Sequence, residues 1–356
     1  MSKLIKIRAA MRERGLDAII VYDELNQRYL SDFAFTDGFL IITGDRAELV
    51  TDFRYYEMAL NNADPEFKVS MPGGRDAFIE EVLSSSDVKT VGFEGAFVPY
   101  ELYRKLCEKF PSYKFENIGR MIGELRQVKS AEEIAMIQRA QNITDMAFEH
   151  ILKVLSPQMT EIDIAAELEY VMRKNGAERA AFDTVAVSGD ASALPHGSPR
   201  NVKLKKGFLT LDYGALFNGY CSDMTRTVVI GKADAEMKKI YNTVLKAQLA
   251  AQEYLREGAD CGEADRIARD IIDSIPEYKG TFGHSLGHSL GLFVHESPSL
   301  SRGGVGRKMR VGEIYTTEPG IYLFGKYGCR IEDMVAIEKD GIYNFTHSTK
   351  ELIEIL

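Results

Sequence analysis

The dipeptide Asn218-Gly219 constrains this chain more than any other pair of residues. Asn-Gly is the strongest two-residue hairpin signal, because both central positions of a type I′ turn need positive φ. It lies inside Leu209-Thr210-Leu211-Asp212-Tyr213-Gly214-Ala215-Leu216-Phe217-Asn218-Gly219-Tyr220-Cys221-Ser222-Asp223-Met224-Thr225. With the turn at its centre, Phe217 opposes Tyr220, Gly214 opposes Asp223 and Asp212 opposes Thr225. Side chains alternate between faces with period two. Asp212 and Asp223 become diagonal neighbours on one face, roughly 7 Å apart at the backbone. Gly214 is expected to leave open space beside them.

A second hairpin runs from Tyr315-Thr316-Thr317-Glu318-Pro319-Gly320-Ile321-Tyr322 to Arg330-Ile331-Glu332-Asp333-Met334-Val335. A three-residue loop centred on Gly325, or a five-residue loop centred on Lys326, puts Glu318 and Glu332 on one face. Between the hairpins lies a histidine-rich run from Gly283 to Glu296 containing His284, His288 and His295. Like charges on adjacent strands are destabilising. Four solvated surface acids would be the bland alternative. The flanking residues are strongly apolar (Phe208, Leu209, Leu211; Ile321, Tyr322, Val335, Ile337), as in strands with a buried face. Buried carboxylates take up protons or bind cations. Four carboxylates with one neutral imidazole come close to balancing two divalent ions, and an oxygen-rich set with one nitrogen favours Mn²⁺ or Co²⁺, with Zn²⁺ also a candidate. Two such ions, about 3.5–4 Å apart, hold a bridging hydroxide and polarise a carbonyl.

The chain has 356 residues, enough for two domains. A net charge of −9 argues against a nucleic-acid partner, which demands a basic patch. Apolar runs fall short of the ~20 residues that a membrane span needs. The start, Met1-Ser2-Lys3-Leu4-Ile5-Lys6, reads as the opening of an amphipathic helix rather than a signal peptide. Cys107, Cys221, Cys261 and Cys329 are scattered without a paired spacing, which fits reduced thiols in a cytoplasmic protein. Cys221 shares the expected face of Asp223, but reads better as a small buried hydrophobe.

Residues 1–123 alternate strand and helix patterns, an α/β arrangement. Strands are expected at 18–22, 39–43, 48–51 and 90–93, and helices at 3–14, 54–61, 76–83 and 100–110. Only His150 among the six histidines precedes residue 196. A second unit, 124–356, opens with the capping box Ser130-Ala131-Glu132-Glu133. Its long helix ends near Pro157, a second follows Thr160, and strand pairs then alternate with helices over 235–256 and 261–274. This pattern suggests an antiparallel sheet wrapped by helices. His150 and His347 are expected to face solvent and are assigned no role.

From about residue 124 onward the chain resembles the M24 metallopeptidases. The resemblance rests on Asp212 and Asp223 within Asp-Tyr-Gly…Gly-Tyr-Cys-Ser-Asp-Met-Thr-Arg-Thr, on His288 and His295 in His-x-x-Gly-x-x-x-His-Glu, and on the motifs around Glu318 and Glu332. It implies an α+β "pita-bread" catalytic domain with a curved antiparallel sheet. It also implies that Asp212, Asp223, His288, Glu318 and Glu332 bind two divalent metal ions. His196, in Leu194-Pro195-His196-Gly197, matches a histidine near the scissile carbonyl. His295 matches one that contacts substrate and stabilises the tetrahedral intermediate, His284 matches a further active-site histidine, and Arg330 matches an arginine that orients the neighbouring glutamate. Without that context, Arg330 would simply pair with Glu332 or Asp333.

The segments Phe35-Thr36-Asp37-Gly38-Phe39 and Thr51-Asp52-Phe53-Arg54-Tyr55 resemble the creatinase/prolidase-type domain that precedes the catalytic domain in aminopeptidase P and prolidase. The implied activity is hydrolysis of Xaa-Pro bonds in short proline-containing peptides, of aminopeptidase or dipeptidase type, with a metal-bridging hydroxide as nucleophile and Glu318 carrying the proton. A homodimer is the implied assembly. Two other readings remain: an M24 aminopeptidase of other specificity, such as a methionine aminopeptidase, and a non-catalytic peptide-binding relative. The N-terminal resemblance argues against the first, and the complete ligand set against the second.

Overall fold

The structure, a computed structural model, describes residues 2–356. The chain divides into two compact units, Met1–Arg126 and Gln127–Leu356.

The first unit is a mixed six-stranded sheet in the order β4-β3-β2-β1-β5-β6, with β1 Ala18–Val21, β2 Phe39–Thr43, β3 Ala47–Val50, β4 Lys68–Ser70, β5 Thr90–Phe93 and β6 Lys114–Asn117. The inner strands are continuous apolar runs because both faces are covered. Residues Ala18 to Val21 of β1 are all buried. Strand β1 runs antiparallel to β2 and parallel to β5. The helices are α1 Lys3–Glu13, α2 Glu24–Ser31, α3 Phe53–Asn62, α4 Arg75–Ser85, α5 Tyr100–Lys109 and α6 Met121–Arg126. Helix α2 was not expected from the sequence, because its buried face includes Asn26, Gln27 and Ser31 and carries no apolar period. The side-chain amide donors find partners internally: Asn26 Nδ2 donates to Glu94 Oε1 (2.7 Å) and Gln27 Nε2 to the Val21 carbonyl (3.1 Å). The short polar edge strands β4 and β6 also escaped the pattern.

The second unit opens with α7 (Ala131–Val154) and α8 (Glu161–Lys174), each started by a capping box, Ser130/Glu133 and Thr160/Asp163. The strands are β7 Arg179–Ala180, β8 Val185–Ser188, β9 Gly207–Tyr213, β10 Ala215–Phe217, β11 Tyr220–Cys221, β12 Met224–Ile230, β13 Gly287–Ser289, β14 Glu296–Leu300, β15 Ile314–Thr317, β16 Gly320–Leu323, β17 Tyr327–Arg330, β18 Asp333–Ile337, β19 Ile342–Asn344 and β20 Glu354–Ile355. Helices α9 (Ala235–Tyr254) and α10 (Cys261–Asp273) lie between β12 and β13 in sequence. Pairing is antiparallel apart from β12 with β20. Alternation along β9 divides it between two cores. Leu209, Leu211 and Tyr213 pack with Phe148, Ile151 and Leu168 of α7 and α8, whereas Phe208 packs with Ile240, Val244 and Tyr315. Asp212 therefore shares the face of Phe208, away from α7 and α8.

One buried ion pair knits the strands carrying the acids. Arg226 and Asp333 are 1% and 0% exposed, and Arg226 Nη2 donates to Asp333 Oδ1 (2.8 Å). The same guanidinium donates to the carbonyls of Thr225, Glu332, Ser348 and Thr349. Removing one partner of a buried pair leaves a stranded charge. Asp333→Ala is expected to lower unfolding free energy by about 3–5 kcal/mol, read by urea titration; a loss of under about 1 kcal/mol, the level of a surface pair, would contradict the assignment.

Candidate metal centre

Each candidate acid owes its place to a turn. Asn218 and Gly219 have φ +46° and +80°, as a type I′ turn requires. Phe217 pairs with Tyr220 and Asp212 with Thr225, the register expected from the sequence. The role expected of Gly214 is corrected. A Cβ there would lie 1.8 Å from the Ser222 carbonyl oxygen, so the glycine permits a close crossing of backbone and is not a gap beside the acids. Gly214→Ala must push the two strands apart, with an expected cost of about 1–3 kcal/mol. Thermal melting checks this, and an unchanged Tm would refute it.

In the second hairpin, Leu323 pairs with Tyr327 around Phe324-Gly325-Lys326, which selects the three-residue loop, and Gly325 has φ +74°. Thr317↔Asp333 and Gly320↔Arg330 keep one register on both sides of Pro319, so Glu318 falls opposite Glu332. The third segment reaches the acids because Gly287 has no side chain: a Cβ would meet the Thr316 carbonyl at 2.0 Å. His288 N then donates to Thr316 Oγ1 (3.0 Å), and Glu318 N to the Leu286 carbonyl (2.8 Å).

Asp212, Asp223, His288, Glu318 and Glu332 all line one cavity of about 490 Å³. One ligand atom each from Asp223, His288 and Glu332 lie within 4.8 Å of one another. His288 Nε2 is 3.6 Å from Asp223 Oδ2 and 3.4 Å from Glu318 Oε1. His288 Nδ1 lies 3.1 Å from the Ser289 carbonyl, which can only accept. The proton therefore sits on Nδ1 and the Nε2 lone pair faces the carboxylates. Burial also pushes the His288 pKa below its ordinary value, keeping the ring neutral.

The acids are unbalanced. Burial, then the charges of Asp212 and Glu318, raise the Asp223 carboxyl well above the ordinary range. Burial, then Asp223 and Glu318, do the same to Glu332. Glu318 is pushed up to about 7, chiefly by burial, with Arg330 pulling the other way and Asp212 adding to the rise. Asp212 Oδ1 and Glu332 Oε1 are buried and have no hydrogen-bond partner among the described residues. Buried acceptors without partners are costly, and aimed into a cluster of carboxylates they suit a cation.

Arg330 differs from both expectations. It does not pair with Glu332 or Asp333. Its Nη2 donates to Asp212 Oδ2 (2.6 Å), its Nη1 to Tyr322 OH (2.7 Å) and its Nε to Thr225 Oγ1 (3.0 Å). Thr225 Oγ1 in turn donates to Glu332 Oε2 (2.7 Å), so Arg330 reaches the glutamate only through a threonine. Thr225 and Tyr322 were not singled out from the sequence. The register held the signal for both: Thr225 is paired directly with Asp212, and Tyr322, paired with Gly328, is a diagonal neighbour of Arg330.

His196, His284 and His295 also line the cavity. The His295 ring lies 4.5 Å from that of His288. His284 is fully engaged. Its Nδ1 faces the Ser285 carbonyl (2.9 Å), so Nε2 accepts from Tyr322 OH (2.9 Å). Burial, then Arg330, pushes its pKa down to about 4. The ring is neutral and presents no free N–H to the cavity. Cys221 is buried and stands outside the cavity wall. His347 is exposed, as expected, but His150 is not simply solvent-facing, since its Nε2 lies 2.6 Å from Glu167 Oε1.

Comparisons with known proteins cover the whole chain. The model of metallopeptidase family M24 matches residues 135–339, and that of the creatinase/prolidase N-terminal domain matches residues 3–128. The Xaa-Pro dipeptidase of Pyrococcus horikoshii is 36% identical over 354 residues, covering 99% of this chain and 98% of that protein. The structure of an Xaa-Pro dipeptidase from Bacillus anthracis superposes with a TM-score of 0.93 at 37% identity, covering 99% of both chains. That of an X-Pro aminopeptidase from Thermotoga maritima superposes with a TM-score of 0.91 at 33% identity, covering 100% of both.

Proposed function

The chain belongs to metallopeptidase family M24, a pita-bread catalytic domain preceded by a creatinase/prolidase-type domain, and on that premise we propose that it hydrolyses Xaa-Pro peptide bonds with two divalent ions held by Asp212, Asp223, His288, Glu318 and Glu332. The observation that carries the dinuclear reading is the pair of buried, unpartnered oxygens, Asp212 Oδ1 and Glu332 Oε1, one from each hairpin. Four carboxylates and one lone-pair nitrogen fit two such ions, and the oxygen-rich set favours Mn²⁺ or Co²⁺. The Xaa-Pro specificity is supported by the names of relatives that align along nearly their full length.

When bound, the ions supply Lewis acidity and lower the pKa of water toward neutrality. The protein does the rest. Glu318 takes the proton of the attacking water and returns it to the leaving nitrogen. Thr316 Oγ1 donates to Glu318 Oε1 (3.0 Å), fixing the direction of that carboxylate. Arg330 holds Asp212 by a charge-assisted bond. His295 and His196 line the cavity where they can donate to the developing oxyanion, a contribution of about 3–4 kcal/mol per well-placed donor. A proline nitrogen carries no hydrogen, so the substrate is positioned by contacts to its carbonyl and its termini.

The test compares an Xaa-Pro dipeptide, an Xaa-Pro-Xaa tripeptide and a Met-Xaa peptide, each with and without Mn²⁺. Metal-dependent cleavage at Xaa-Pro is expected. Preference for the dipeptide marks a dipeptidase and preference for the tripeptide an aminopeptidase. Cleavage of Met-Xaa alone, or no metal dependence, would overturn the reading.

A further inference from the structure

Outside the metal centre lies a buried carboxylate that the scheme above does not use. Glu161, the first residue of α8, is 0% exposed. Its Oε1 accepts from Ser188 N (2.8 Å), Ser188 Oγ (2.9 Å) and Arg200 Nη2 (2.7 Å), and its Oε2 from Arg200 N (3.0 Å) and Arg200 Nε (2.8 Å). Capping does not account for this. The start of α8 is already satisfied by Thr160 and Asp163. Nor is a buried ion pair an efficient way to gain stability. Burial alone would raise the Glu161 pKa, but the donors from Arg200 and Ser188 outweigh it and hold the carboxyl below its ordinary value.

What Glu161 joins is more telling. Ser188 and Arg200 are the two ends of one loop, and the loop carries His196. Residues Pro195 to Pro199 form part of the cavity wall. Within the loop, Gly197 N donates to the Leu194 carbonyl (3.1 Å), and Ser192 Oγ accepts from Gly328 N (3.0 Å) on β17. The Glu161 carboxylate thus bridges both ends of a loop whose tip faces the candidate metal centre, beside a backbone bond from Ile162 N to the Arg200 carbonyl (3.3 Å). His196 itself is exposed.

We propose that Glu161, with Arg200, is a positioning residue for the reaction: it clamps both ends of the 189–199 loop and so holds His196 against the cavity. The inference rests on the role given to His196 above. Misplacement of a reacting or stabilising group by about 1 Å is enough to cost up to ~100-fold in rate.

The test is a double-mutant cycle. Arg200→Ala removes half the clamp at a side chain that is 39% exposed. Glu161→Gln keeps the shape of the other half and removes its charge. Each is made alone and together with His196→Ala, and kcat and KM are measured on the substrate that the wild type cleaves, with Mn²⁺ present. Amide hydrogen exchange at Leu194 and Gly197 is followed in parallel. The clamp variants are expected to lower kcat by roughly tenfold or more while His196 is present, and by no more than about twofold once it is absent, because the two residues act through one path. Exchange at Leu194 and Gly197 is expected to quicken. Equal losses in both backgrounds would show a general structural role and overturn the proposal, as would unaltered exchange. Should Glu161→Gln not fold, Arg200→Ala carries the test. Should the wild type cleave no Xaa-Pro peptide, the functional reading fails and the exchange experiment alone decides whether Glu161 holds the loop.

Discussion

Glu318→Gln is expected to lower kcat on an Xaa-Pro peptide by about 10²–10⁴-fold, the range that general acid–base groups contribute. The amide is nearly isosteric with the carboxyl. It still accepts from Thr316 Oγ1 and still fills its place opposite Glu332. What it loses is the ability to take a proton. Circular dichroism should be unchanged, and metal content should be measured beside turnover so that a lost ion is not mistaken for a lost base. Asp223→Ala is expected to abolish turnover by a different route, through loss of a ligand, and its metal content should drop. A Glu318→Gln protein retaining more than about a tenth of wild-type kcat would remove Glu318 from proton transfer.

Stripping divalent metal is expected to lower Tm by about 10 °C, because a ligand present at a thousandfold its Kd stabilises by about 4 kcal/mol and a unit of this size shifts by a few degrees per kcal/mol. The pH dependence has a definite sign. In the folded, metal-free protein, burial and mutual repulsion hold Asp223 and Glu332 well above the ordinary carboxylate range and Glu318 near 7. The unfolded chain ionises the same groups near pH 4. Between pH 4 and 7 the folded form binds more protons, so metal-free stability falls as pH rises through that window. Metal must displace those protons. The rise in Tm on adding Mn²⁺ should therefore be larger at pH 8 than at pH 6. A rise that is equal at the two pH values, or larger at pH 6, would mean that the carboxyls are not the groups that bind it.

How far the site could be read beforehand depends on the kind of information. Register is local, so Asn218-Gly219 was enough to align Asp212 with Thr225. The three-residue loop at Gly325 was one of two alternatives, and choosing between them took the structure. Partners reached across strands were not legible. Arg330 lies two residues from Glu332 in sequence yet bonds Asp212, because β17 ends at Arg330 and β18 begins at Asp333, so the two side chains do not follow one another on a single strand face. Gly214 looked like a void and is a backbone crossing, a distinction that depends on where the Ser222 carbonyl lies. In the first unit, the apolar strands were found from their runs, whereas α2 was hidden because Asn26 and Gln27 are buried by hydrogen bonding and not by hydrophobicity.

The contacts of Arg226 bear on when the two hairpins come into line. The guanidinium ties Thr225 and Glu332 to Ser348 and Thr349, and β12 gains its last neighbour from Glu354 and Ile355. Partners this distant in sequence are among the last to meet. A nascent chain halted at the ribosome before Thr349 has emerged holds its aspartates without the brace that aligns them with the glutamates. The alignment of the two acidic hairpins is therefore completed only once the residues from Ser348 onward have joined the fold.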